Sequence, residues 1–263
     1  MADVEPARSA SAATLERRGS IALITLNRPR ALNAVNAELS AAVGAALEEF
    51  AADSGLRVAV VTGAGRAFCA GMDLKEAAAG RDVMDPRHPE WGFAGLVRHW
   101  VDKPLIAAVN GLALGGGAEI VLACDLVVAD ENATFGMPEV HHGLFPAAGG
   151  VLRLQQRVPR NIALELALTG TPVDAIAAAG WGLVNRVAPA GKSVETALAL
   201  AGEVAAGAPL SVRAVKRFMA SREAEAGAWE QNERVWQEVN ASDDAKEGPR
   251  AFAEQRVPRW TGR

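Results

Sequence analysis

The stretch "AVNGLALGGGAEIVLACD", residues 108–125, decides the fold. An apolar run with strand character reaches Asn110-Gly111, and three adjacent glycines follow at 115–117. An apolar run of helical character comes next and carries a single acid, Glu119. Glycine loses more backbone freedom on folding than any other residue, so three in a row at a helix start need a reason. One reason is a ligand. The first N–H groups of a helix lack intrahelical partners, the macrodipole adds positive charge there, and glycine admits a ligand without a Cβ in its way. Such an end holds a phosphate, or an oxygen that becomes negative during a reaction. The other reason is packing, a junction in which backbones touch.

Strands and helices alternate on either side of this stretch. "SIALITLNRP" (20–29) is a β-rich run stopped by Pro29. "NAELSAAVGAALEEFAAD" (36–53) places Leu39, Val43, Leu47 and Phe50 at helical spacing behind Asn36, a helix cap by type. "LRVAVVTG" (56–63) reads as a buried strand entering a glycine turn. A short helix is expected from near Met72, an irregular segment over 81–92, and a helix through 93–101. "KPLIAAVNG" (103–111), "DLVVAD" (125–130) and "ATFG" (133–136) read as strands, and from about residue 148 the chain reads almost wholly helical. The pattern predicts an α/β core of stacked units with largely parallel strands, followed by a helical C-terminal part.

Composition narrows the function. Half of the 263 residues are apolar and 22% are charged, which suits a full core in one large domain, or in one domain with a small appended one. A net charge of −4 argues against a nucleic-acid partner bound by phosphate neutralisation, but leaves room for a small anionic ligand. Cys69 and Cys124 form neither a metal spacing nor a disulfide framework and read as reduced core thiols. The N-terminus carries Asp3 and Glu5 and lacks an apolar h-region, so residues 1–13 are expected to be a tail rather than a signal peptide. No run reaches about 18 apolar residues, so no membrane span is expected, and the expected compartment is the cytoplasm.

Several motifs point weakly and elsewhere. Gly63-x-Gly65 begins like a dinucleotide fingerprint, but Phe68 stands at the third glycine position, and no acid ends a strand about 20 residues on. His141-His142 has no third ligand at a useful spacing, so no metal site is expected. No G-x-S-x-G elbow occurs. Arg28, Arg30, Arg66 and Lys75 fall in or beside glycine loops, as solvated charge or as partners for an anion. Glu119 alone would complement its helix dipole, and Glu139, after Pro138, would alone be a surface acid. As a pair in one pocket sharing one proton, they can deliver a proton to one atom and take one from another.

Four segments, read in order, carry a family resemblance: "ITLNRPRALNAVN" (24–36), "AFCAGMDLKE" (67–76), "KPLIAAVNGLALGGGAEIVLACDLVVA" (103–129) and "ATFGMPEVHHGLFPAAGG" (133–150). Similarity continues through 163–187. The sequence resembles the crotonase superfamily, the enoyl-CoA hydratase/isomerase group. The resemblance implies an α/β spiral of β/β/α units over 14–200. It also implies a helical C-terminal region, 201–263, that builds homotrimers, often paired into hexamers. The ligand would be an acyl-CoA thioester, with no separate cofactor, because coenzyme A is part of the substrate. Its carbonyl oxygen would sit between the backbone N–H groups of Met72 and Gly116. Glu119 and Glu139 would activate water for attack at C3 and supply the proton to C2. Resemblance further points to Arg28, Arg30, Ala31 and Leu32 near the nucleotide, and to Ala70, Asp73, Leu74 and Lys75 along the adenine and pantetheine path. Phe252 would reach coenzyme A from a neighbouring subunit, and where relatives carry lysine three residues later this chain has Gln255. Trp91, Phe93 and Trp100 either wall the acyl pocket or pack elsewhere. An enoyl-CoA hydratase follows as the leading expectation, with a double-bond isomerase and a non-catalytic acyl-CoA binding protein as alternatives.

Overall fold

The computed structural model describes residues 11–220, 226–259 and 261. The chain opens on the hairpin β1 (Ala13–Arg18) and β2 (Ile21–Leu26), then helix α1 (Ala37–Ala52), where Asn36 accepts the Leu39 N–H at 3.0 Å. Three units of one plan follow. The first is β3 (Val58–Gly63), β4 (Ala67–Cys69) and α2 (Leu74–Ala78). The second is β5 (Leu105–Val109), β6 (Leu112–Leu114) and α3 (Gly116–Ala123). The third is β7 (Leu126–Asp130), β8 (Thr134–Gly136) and α4 (Gly150–Arg157). The chain continues through α5 (Arg160–Thr169), β9 (Val173–Asp174), α6 (Ala175–Gly180), β10 (Arg186–Ala188) and α7 (Ser193–Ala205). It closes with α8 (Pro209–Ala220), α9 (Ala226–Ala241) and α10 (Asp243–Ala253).

The first strand of each unit joins a six-stranded sheet of order β1-β2-β3-β5-β7-β10, and the second joins a four-stranded sheet of order β4-β6-β8-β9. The chain therefore steps from sheet to sheet in every unit, which is the β/β/α spiral. Pairing is parallel except for β1–β2 and β8–β9. The continuous apolar runs are explained by burial on both faces. Along β3, Ala59 and Val61 enter the main core, while Val58 and Val60 pack with Ala197, Leu200 and Ala201 of α7.

Three local expectations change. The helix through 93–101 is absent; a single 3-10 turn, Phe93–Gly95, stands there. Gly92, Ala94 and Gly95 all take positive φ, and a Cβ on Gly95 would collide with the Ser40 carbonyl of α1. The second half is not wholly helical, because β9 and β10 extend the two sheets. Ala12 and Ala13, placed in the expected tail, are buried, and Ala12 O accepts the Asn27 N–H at 2.7 Å. Residues 1–10 of that tail lie outside the described residues. At the expected boundary near 200 there is no break, since α7 runs across it. Among the described residues, no single helix is long and apolar enough to cross a membrane.

Candidate active site

Short polar side chains hold the loops between the two sheets. Asn110 donates to the carbonyls of Gly63 and Gly65, both at 2.9 Å, and accepts the Gly63 N–H at 3.2 Å. Asn33 is fully buried, donates to the carbonyls of Ala64 and Ala67, and accepts the Arg28 N–H. Arg28 turns inward to Asp73 at 3.0 Å and to the Ala34 carbonyl. The two residues expected along the coenzyme path thus lock the 28–35 loop to the 70–75 loop. Val35 and Met72 add a one-residue parallel bridge to the same junction.

That bridge uses the Gly71 carbonyl and the Asp73 N–H, which leaves the Met72 N–H outside the pairing. Gly71 takes φ +93°, closed to most side chains, and a Cβ built on it would lie 3.2 Å from the Gly116 nitrogen. The amide after Gly71 and the first amide of α3 are therefore neighbours. Neither the Met72 N–H nor the Gly116 N–H donates to a group among the described residues. The structure supports the packing reading of the glycine triplet. Gly115 takes φ +55° to start the helix, a Cβ on Gly116 would overlap the Phe93 ring, and one on Gly117 would overlap the Cys69 carbonyl. Packing explains Gly116 and Gly117, and the first turn still presents its unpaired amide to the cavity.

The two acids share that cavity, which measures about 520 Å³ and is lined also by Gly71, Met72 and Gly116. Glu119, in the first turn of α3, is 3% exposed and accepts the Gly150 N–H at 2.8 Å. Glu139 stands on the 3-10 turn Pro138–His142 after β8, and Gly115 is close enough that a Cβ there would lie 3.4 Å from its Oε1. Both Glu139 carboxyl oxygens are buried and have no hydrogen-bond partner among the described residues. Burial pushes both carboxyls well above the usual range. At Glu119 the neighbouring Glu139 raises it further, while the Gly150 amide opposes both. Two buried acids in one cavity resist ionising together, which favours a single proton held by the pair.

Ala70 and Leu74 line the cavity beside Met72. Arg30 and Lys75 are exposed, with Ala31 and Leu32 half-buried beside Arg30. Phe93 walls the cavity. Trp91 instead stacks between His88 at 3.8 Å and His99 at 4.3 Å and packs where a Gly44 side chain would be, while Trp100 is 54% exposed. Phe252 meets His142 of its own chain edge-on at 6.0 Å, and Arg256 pairs with Glu247 and Glu254. No group of three His, Cys, Asp or Glu side chains that could hold a metal ion occurs among the described residues.

Sequence reasoning missed the part that α9 plays in the site. Trp229, Asn232 and Trp236 project from it into the lining of the same cavity, in the same chain as the acids. Their i, i+3, i+7 spacing was a legible helix face, but nothing local says what that face covers.

A family model described as enoyl-CoA hydratase/isomerase matches residues 16–263. The chain is 44% identical over 257 residues to the carnitinyl-CoA dehydratase of Proteus mirabilis (strain HI4320), covering 95% of this chain and 98% of that one. It is 45% identical to the carnitinyl-CoA dehydratase of Salmonella typhi over the same shares. The crystal structure of a carnitinyl-CoA hydratase from Mycobacterium avium superposes with a TM-score of 0.94 at 53% identity, covering 97% of this chain and all of that one.

Proposed function

The chain belongs to the enoyl-CoA hydratase/isomerase family, and from that premise we propose that it adds water reversibly across C2=C3 of a 2-enoyl-CoA thioester. The carrying observation is the pair of buried, unsatisfied Glu139 oxygens in one cavity with Glu119 and two unpaired amides. In this reading the thioester oxygen accepts from the Met72 and Gly116 N–H groups. Attack of water at C3 sends charge onto that oxygen, so both donors gain strength as the enolate forms. One carboxylate of the pair takes a proton from the water, and the carboxylic acid of the pair protonates C2. The reverse sequence expels water from a 3-hydroxyacyl-CoA. Retention of both acids favours hydration or dehydration over a plain double-bond shift, which moves one proton and needs no water.

The coenzyme is part of the substrate, and Arg30 and Lys75, exposed at the loop rim, suit its phosphates. The relatives named carnitinyl-CoA dehydratase support the same reaction class. A homotrimer, alone or paired into a hexamer, fits the exposed apolar side chains of α8, with Leu210 78% and Met219 69% exposed. The test follows loss of the conjugated thioester absorbance with short, medium and aromatic enoyl-CoAs. Turnover that falls in both Glu119→Gln and Glu139→Gln is expected. Rates untouched by either change would overturn the assignment, and binding without conversion across the panel would favour a carrier protein.

A further inference from the structure

A third polar group in the cavity has no role in the chemistry above. Asn232 of α9 is 6% exposed, and its Nδ2 donates to the Ala147 carbonyl at 2.7 Å. That bond fixes which end of the amide is which. The other end, Oδ1, is buried with no hydrogen-bond partner among the described residues. A buried acceptor left unpaired carries a desolvation penalty and is rare without a ligand or water to meet it. Only one other carboxamide or carboxylate of the cavity shares that condition, and it is Glu139. Ala147 immediately precedes the 148–150 segment whose amides face Glu119, so Asn232 lines the cavity beside the loop that holds that acid.

Resting on the hydratase reading, we infer that Asn232 selects the acyl group: its Oδ1 accepts from an electropositive hydrogen carried just beyond C3, so the natural acyl chain ends in a donor rather than in plain alkyl. A hydroxyl supplies such a hydrogen, and so do the polarised C–H groups around an ammonium nitrogen. Neighbours pull in both directions. Glu233 and Trp236 on the same wall suit a cation, whereas the Arg98 and Arg153 guanidiniums, 4.4 and 5.4 Å from the Trp229 ring centre, suit a neutral hydroxyl. An alkyl end would strand Oδ1 against carbon, and sites built to hydrogen-bond discriminate strongly against the analogue lacking the donor.

The experiment compares isosteric pairs on the full-length protein. One pair is but-2-enoyl-CoA bearing a terminal hydroxyl against pent-2-enoyl-CoA, where methyl replaces hydroxyl. The other is the terminal trimethylammonio compound against its tert-butyl isostere. The wild type is expected to favour the donor member of at least one pair by about 10-fold or more in kcat/KM, and which pair responds identifies the source of the hydrogen. Asn232→Leu should bring that ratio towards one while turnover of pent-2-enoyl-CoA persists. A lost fold would lower all four rates together and leave the ratio alone, so the ratio is the readout. Equal turnover of both members of both pairs by the wild type overturns this role for Asn232 and leaves the hydratase reading standing. A donor preference that survives in Asn232→Leu also overturns it. No turnover of any member overturns this assignment, and the hydratase reading falls with it only where the short, medium and aromatic panel is also left unconverted.

Discussion

Replacing Glu119 by glutamine should cost activity and return stability, with a sign that depends on pH. The carboxyl is buried beside a second carboxyl and is pushed from 4.5 up to about 8. Below the unfolded value both states hold the proton and the group costs nothing. As pH rises from about 4.5 through 8, the unfolded chain releases the proton while the folded chain keeps it, so stability is lost across that window. At about 1.4 kcal/mol per pH unit the full effect is roughly 5 kcal/mol. Glutamine keeps an oxygen for the Gly150 amide and removes the titration. Thermal unfolding at pH 5 and pH 9 measures the difference. Near pH 5 the two proteins should melt within a few degrees of each other. At pH 9 the variant should melt higher by roughly 10 °C or more, since about 1 kcal/mol moves Tm by roughly 2–4 °C at this size. Hydration by the variant should fall by about 10²–10⁴-fold, as for loss of a general acid or base. A variant that melts below the wild type at pH 9, or whose Tm falls with pH as steeply, would refute the reasoning.

Other changes test neighbouring parts of the site. Gly116→Ala places a methyl group into the Phe93 ring and displaces the amide beside it; kcat should drop by about 10²–10³, as for loss of one oxyanion donor, measured with the best enoyl-CoA. Phe93→Ala empties a buried wall of the cavity; on the proposed function it should raise turnover of bulkier acyl groups relative to small ones while lowering Tm, as truncation of a buried aromatic costs about 3–5 kcal/mol. The pH profile of kcat/KM should be bell-shaped around the values of the pair, about 7 and about 8, because hydration needs one proton on it and not two or none. A profile flat from pH 5 to 10 would remove the pair from the chemistry.

How much of this was legible depended on whether the signal was local. β2, β3, β5 and β7 are four buried strands whose apolar runs need no partner to be read, and Asn36 caps α1 as its type and position imply. The resemblance brought Met72, Gly116, Glu119 and Glu139 together, and the structure puts all four on one cavity. Of the second sheet, only β8 in "ATFG" was legible. "AFC" and "LAL" are three-residue strands between glycine loops, and they exist as strands only because neighbouring units present matching edges. The 93–101 segment has helical composition, but contact with α1 at Gly95 and the left-handed Ala94 override it. The inward turn of Arg28 needs Asp73, 45 residues away, and a basic residue beside a glycine loop gives no hint of that partner. The placement of α9 against the acids is the same kind of fact, set by the fold rather than by the helix.

The most direct test of two amides holding an enolate while two acids move protons is the mass of the product formed in oxygen-18 water and deuterium oxide. The account predicts that a 2-enoyl-CoA gains one solvent oxygen at C3 and one solvent hydrogen at C2. A product of unchanged composition, its double bond merely shifted, would contradict it.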